Sequence, residues 1–251
     1  MKIPAPRLIL PLLLLSFPLS AQPGYEIAKM MDEREQPDDM VSDMTMILTS
    51  RTGATRTLTV HSVRKGDDKQ IIWFLAPADD RGVAFLKIEY EDREDEMRMW
   101  LPSFKRMRRI ASSKKGESFM GSDLSYEDMT LRALDEYTYE LLGEEALDGD
   151  QVWILESTPK PELRSSYSRI VSRVRQSDFM PVREEYYDRV GNLLKVRTMD
   201  VGVVKEYSIP VRMLMQNVQK EHSTELIFDN MELDTGVKDD LFHERNLRRL
   251  P

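Results

Sequence analysis

The chain has 251 residues, of which 41% are hydrophobic and 32% charged, a globular composition that excludes a disordered chain or a membrane-embedded bundle. Cysteine is absent, which excludes a disulfide framework, a cysteine nucleophile, a thiolate zinc site and an iron–sulfur cluster. The three histidines, His61, His222 and His243, are too scattered for a histidine metal cluster, and the net charge of −8 disfavours nucleic acid as a partner.

The first 21 residues differ from the rest. Lys2 and Arg7 precede a leucine-rich run, Leu8 to Leu19, interrupted by Pro11, Ser16 and Pro18, and Ser20-Ala21 offers a small-residue cleavage site. The apolar run is about twelve residues where a membrane span needs roughly twenty, so the pattern predicts a signal peptide cut near Ala21. No cysteine follows to carry a lipid anchor. The expected product is an exported, soluble chain of residues 22–251 with a charge of −10.

Tyr25 to Glu35 reads as a short helix: Ile27, Met30, Met31 and Arg34 fall at helical spacing, and Pro37 stops it. From Met40 the period becomes two, with Met40, Met44, Met46 and Leu48 on one face. Thr52-Gly53 turns the chain into a second strand at Arg56–Val60, and Gly66-Asp67-Asp68 into a third at Lys69–Leu75. Pro77–Gly82 reads as loop and Val83–Tyr90 as strand. After residue 140, strands are expected at 151–157, 168–175, 183–187, 193–200, 206–209, 211–215 and 225–228. Asp188-Arg189-Val190-Gly191-Asn192 reads as a hairpin connection. Helical pattern is confined to the N-terminal segment, residues 127–136 and a turn at 239–245. Strands about every ten residues with short turns predict one antiparallel sheet, long enough to curl, in a single domain.

A curled sheet with few helices encloses a cavity. Sixteen methionines suit one that adapts to an irregular apolar ligand, although each alone also reads as ordinary core. The segment from Glu89 to Met129 is unusual. Six acids and one base between Glu89 and Glu96 give way to seven bases and no acid between Arg98 and Lys115. That run reads either as a solvated loop bridged to the preceding acids or as a surface for a lipid headgroup, a membrane or an acidic partner. Met97, Met99, Trp100, Leu101, Phe104, Met107 and Ile110 are interleaved with it. Ser125, with Asp128 three residues on, fits a capping box. No nucleophile elbow, phosphate-binding loop or dinucleotide fingerprint is present, so no catalytic residue and no cofactor is expected.

The stretches 99-MWLPSFKRMRRI-110 and 118-SFMGSDLSYED-128 resemble the signature of bacterial outer-membrane lipoprotein-sorting proteins, relatives of the periplasmic carriers LolA and LolB. Asp80–Leu86, Phe242–Leu247 and the segment from Tyr25 to Met40 resemble the same family. The resemblance implies an α+β fold: a single curved antiparallel sheet forming an open half-barrel, with a few covering helices, over residues 22–251. It implies a periplasmic, non-catalytic carrier of the acyl chains of lipids or lipoproteins. An inner-membrane transporter of the resistance–nodulation–division type is an expected partner. Fold alone does not fix the cargo. A periplasmic interaction module, either a transporter accessory subunit or an envelope-stress sensor, stays open beside the carrier.

On the carrier reading the expected lining residues are Met44, Met46, Trp73, Phe85, Met97, Met99, Trp100 and Leu101. Strand alternation puts neighbours on opposite faces, so this set cannot all share one face. Phe119, Met120 and Leu124 are expected in a lid. Arg81, Arg106, Arg108 and Arg109 are expected to meet a headgroup or a docking partner.

Overall fold

The computed structural model describes residues 23–90 and 92–251; the signal-peptide reading of residues 1–21 lies outside them. Thirteen strands form one antiparallel sheet. In chain order they are β1 (Asp39–Thr49), β2 (Thr55–Lys65), β3 (Lys69–Ala76), β4 (Ala84–Ile88), β5 (Glu96–Leu101), β6 (Arg106–Arg109), β7 (Tyr137–Leu147), β8 (Asp150–Pro159), β9 (Tyr167–Arg175), β10 (Pro181–Asp188), β11 (Leu193–Val204), β12 (Tyr207–Asn217) and β13 (His222–Leu233). The spatial order runs from β6 back to β1, then β13 back to β7. The sheet is therefore an open half-barrel, with β6 and β7 as its free edges.

This order makes one connection exceptional. Every other link joins neighbours by a short turn, but the chain between Arg109 and Tyr137 must pass from one free edge to the other. It does so across the inner face as a strap. Residues far apart in the sheet order meet beneath it: Met46, Phe85 and Met99 on one wing share a buried cluster with Ile170 and Tyr186 on the other. That convergence is the curl.

The outer face of β2–β4 is also covered. Val63, Ile71, Trp73, Ala84 and Leu86 pack against Phe242 and Leu247 from two short 3-10 turns, Asp239–Leu241 and Glu244–Arg248. The buried Asp39 carboxylate fixes the approach to these turns, accepting bonds from the backbone of Thr235, Gly236 and Val237 and from the Thr235 hydroxyl. These bonds outweigh burial and hold its pKa below the usual carboxylate range. Helix α1 (Pro23–Asp32) packs Ile27 and Ala28 on Leu155 and Val174. Gly24 permits this, because a Cβ there would lie 2.9 Å from the β7 backbone.

Three expectations need correction. Residues 127–136 form two 3-10 turns, Glu127–Met129 and Leu134–Glu136, instead of one helix, because the Leu131 amide is drawn to Glu89 and Arg132 to Glu184. Residues 206–215 hold one strand, β12, in place of two. Its register slips opposite Asp200 and Val201, beside Pro210, which has no N–H to give the ladder. Strands β5, β6 and β7 lie where none was expected. The Asp188–Asn192 turn is as read: Asp188 and Asn192 bond across it, with Gly191 at φ 89°.

Candidate functional site: the trough and its strap

Cross-strand register shows how the inner face is built. One row runs Leu48, Thr224, Met215, Arg197, Glu184, Ser172 and Leu155 across seven consecutive strands. The floor is thus apolar on β1–β5 and β12–β13, and charged on β9–β11. Such a divided face is uncommon, because a buried charge is costly unless it is paired.

The strap matches this division. Its centre is a small hairpin: Phe119 donates to the Leu124 carbonyl (2.7 Å), Tyr126 to Glu117 (3.2 Å), and Ser118 bridges Ser125. Met120 (φ 52°) and Gly121 (φ 78°) turn it, two successive positive φ values that suit glycine and cost methionine. Phe119 lies 5.2–5.9 Å from the rings of Phe85, Tyr126 and Phe74, over the apolar half. Leu124 is buried beside it.

The strap also carries polar groups, which bond first to β13 and then to the charged strands. The Asp123 carboxylate accepts from Thr224 (2.8 Å) and pairs with His222 (2.6 Å). Asp128 pairs with the buried Lys195 and accepts from the Tyr167 hydroxyl (2.7 Å). Ser125 and Asp128 exchange backbone and side-chain bonds as a capping box does, but the carboxylate also reaches the sheet. Arg132 bonds both oxygens of Glu184 (2.8 and 3.0 Å), whose carboxylate also receives Arg197, Ser172 and Tyr186. Burial opposes the Glu184 charge, but Arg132 and Arg197 prevail and hold its pKa down to about 2. Burial raises the pKa of Tyr167 and Tyr186, keeping both phenols protonated as donors. Tyr167 and Ile170 share the inner face because the register slips between Ser168's neighbours.

The trough is not completely filled. At the end where β1 begins, a cavity of about 310 Å³ opens beneath the strap's second root. Met40, Met129, Leu131, Met213 and Phe228 line it, with Arg34, Arg64 and Lys87 at its polar side. Met129, Met213 and Phe228 also pack on the central cluster, so this cavity is the unfilled rim of the trough. A larger cavity, about 940 Å³, lies where both strap roots face the β8–β9 loop. Its walls carry charges of both signs, many already paired, as in Lys115–Asp95 and Lys114–Glu117.

Of the expected lining residues, Met44, Met46, Phe85, Met97 and Met99 are buried on the inner face, and Leu101 packs partly buried against them. Phe119 and Leu124 belong to the strap, as does the partly buried Met120. Trp73 and Trp100 are corrections. Both lie on the outer face, against Phe242, Leu247 and Met107, since neighbours along a strand point oppositely. Arg106 is exposed beside Phe104, itself 76% exposed, at the tip of the β5–β6 hairpin. Gly82 sits against Pro102 of the same tip, which brings the exposed Arg81 to that end of the molecule. Arg108 pairs with Glu117 (3.0 Å) and Arg109 with Glu94 (3.1 Å). The basic run therefore divides into an exposed tip and a paired edge. Sequence reasoning did not single out Arg34, Arg64, Asp128, Arg132, Glu184, Lys195, Met213 or Phe228 as site residues. Their meeting depends on strap and register, although Asp128 had its capping-box spacing and Arg34 its place on the helical face.

Among the described residues no three His, Asp or Glu side chains converge as a metal would require, and no helix is long and apolar enough to cross a membrane. An open antiparallel trough with a covering helix is the LolA-like fold. The chain matches a LolA superfamily protein from Nitrosomonas europaea with a TM-score of 0.72 at 22% identity, covering 90% of this chain and 100% of that one. It belongs to the DUF1329 family: a member from Desulfovibrio piger is 32% identical, with a TM-score of 0.85 over 90% of this chain and 100% of that one. A Vibrio parahaemolyticus domain provisionally described as an outer membrane lipoprotein-sorting protein is 31% identical, with a TM-score of 0.82 and 90% and 98% coverage. A family model described as "-like: Uncharacterized protein" matches residues 66–249. No curated protein matches the chain.

Proposed function

We propose that the protein is a non-catalytic periplasmic carrier that receives the acyl chain of a lipid or lipoprotein in the trough beneath the strap. One observation carries this reading: the apolar part of the floor is covered by an irregular strap instead of a packed helix or strand, and the covering leaves an opening at its rim with Met40, Met129, Leu131, Met213 and Phe228 on one wall. The opening, about 310 Å³, stands at the lower end of the range of roughly 300–1,000 Å³ for small-molecule sites. It takes the end of a chain; a longer chain displaces Phe119 and Leu124. Re-exposing those two side chains costs about 3–6 kcal/mol, whereas burying sixteen carbons gains on the order of 10 kcal/mol. The exchange therefore favours the lipid. The provisional lipoprotein-sorting description of the Vibrio relative supports the same class of cargo.

The test is native mass spectrometry of protein recovered from the periplasm, with calorimetric titration of delipidated protein by decanol. A lipid-mass adduct and saturable binding are expected, with binding lost in Met213→Trp, which fills the opening. A clean protein that ignores decanol overturns the proposal.

The basic tip favours a second reading, a periplasmic interaction module docking an acidic partner such as a resistance–nodulation–division type transporter. Phe104, Lys105 and Arg106 present an exposed aromatic beside positive charge. In Arg106→Glu/Arg108→Glu/Arg109→Glu, loss of a partner with decanol binding intact supports the module. Partner capture unmoved by these substitutions contradicts the module.

A further inference from the structure

Resting on the carrier reading, we infer that the rim cavity is a headgroup site, and that the ligand is an acyl chain bearing an anionic head, a carboxylate or a phosphate, held by Arg34 and Arg64. The cavity is amphiphilic by construction. Its apolar wall is Met40, Met129, Leu131, Met213 and Phe228, continuous with the trough. The inner-face register sets Met40 beside Arg64, Arg64 beside Gln70 and Gln70 beside Lys87, so the cations lie at the end of the same floor that would hold the chain.

The charges there are not balanced alike. Lys87 is satisfied by Glu89 (2.5 Å) and the Asp67 carbonyl (3.0 Å). Arg64 pairs through Nη1 with Asp67 (2.8 Å), a carboxylate it shares with Gln36 (2.9 Å). Arg34 makes no ion pair among the described residues; its Nη1 is spent on the Met31 carbonyl (2.9 Å). Glu33, Glu35, Asp178 and Glu206 lie around a separate hollow on its other side, and Asp178 is held by Arg175. The Nε atoms of Arg34 and Arg64 are both buried without a hydrogen-bond partner. Buried donors left open are few in native proteins and call for a partner. A guanidinium presents a planar fork that matches carboxylate and phosphate oxygens. An anion entering here meets the guanidinium groups of Arg34 and Arg64, in a lining whose carboxylates, Asp67 and Asp128, are already paired with Arg64 and Lys195, while its tail meets methionine and phenylalanine.

The experiment titrates the full exported chain at pH 8 with decanoate, decyl phosphate and decanol, for wild type, Arg34→Gln, Arg64→Gln and the double variant. Far-UV circular dichroism and urea midpoints verify folding. Arg34 lies beyond the end of α1 and has no carboxylate partner, so its replacement strands no charge. The anionic ligands are expected to bind wild type at least about tenfold more tightly than decanol, the scale of a hydrogen bond to a charged group. The double variant is expected to erase that preference and leave decanol within about twofold. The tighter of decanoate and decyl phosphate names the source, a fatty acid or a phospholipid. Equal binding of all three ligands, unmoved by Arg34→Gln, overturns the headgroup site and leaves the carrier standing. Binding of none overturns the carrier reading and the headgroup site with it.

Discussion

Replacing Phe119 with Ala separates a strap that competes with the ligand from a strap that is only part of the core. The ring is 2% exposed and has three aromatic neighbours with centroids 5.2–5.9 Å away. Truncating a buried phenylalanine costs about 3–5 kcal/mol. That loss falls on the closed form, where the ring touches Phe74 and Phe85, and not on a form in which the ligand has lifted it. The closed-to-open equilibrium therefore shifts toward opening. Apparent affinity for decanol should rise by up to roughly two orders of magnitude, levelling off once the open form dominates. Calorimetric titration of both proteins reads this directly, and a lower urea midpoint verifies that the contact was worth what the packing suggests. Weaker or unchanged binding by folded Phe119→Ala refutes the argument, since the ring would then belong to the site or the strap would not move.

Two further predictions test the face assignment and the buried charges. Trp73→Ala should lose about 3–5 kcal/mol of stability, because the indole is buried against the C-terminal turns and donates to the Asn246 carbonyl, yet leave decanol affinity within about twofold. A large affinity change would put Trp73 on the wrong face. For Glu184, whose folded pKa of about 2 lies below the ordinary 4.5, the stabilisation is full above pH 4.5. It is lost as the pH falls toward 2, by about 3 kcal/mol in total. Urea midpoints between pH 2.5 and 7 should show this acid limb, and Glu184→Gln should be less stable at neutral pH with a flatter limb; equal limbs in both proteins would contradict the assignment.

The repeating turns and alternating strands made the sheet legible, because period-two patterning survives wherever one face is apolar. It failed where both faces are buried. In Ile71-Ile72-Trp73-Phe74-Leu75 the run is apolar throughout, and only the C-terminal turns over Trp73 and the strap over Phe74 separate the two sides. β5 was hidden because Arg98 and the acids before it mask the alternation of Met97, Met99 and Leu101. The 118–128 signature was recognisable as a motif, but its physics was not. Asp123 and Asp128 meet partners about 70 to 100 residues away in sequence, at distances that only a strap between two free edges can close. The rim cavity is likewise a product of register, joining the first residues of β1 and β12 to the strap's far root.

The most direct test of the account is amide hydrogen exchange, residue by residue, with and without bound decanoate. The amides of Asp123 and Leu131, which bond Thr224 and Glu89 across to the sheet, should exchange faster when the ligand is bound, while those of β1 and β13 stay protected. Strap amides that are unchanged or slower with ligand bound would contradict a strap that yields to an acyl chain.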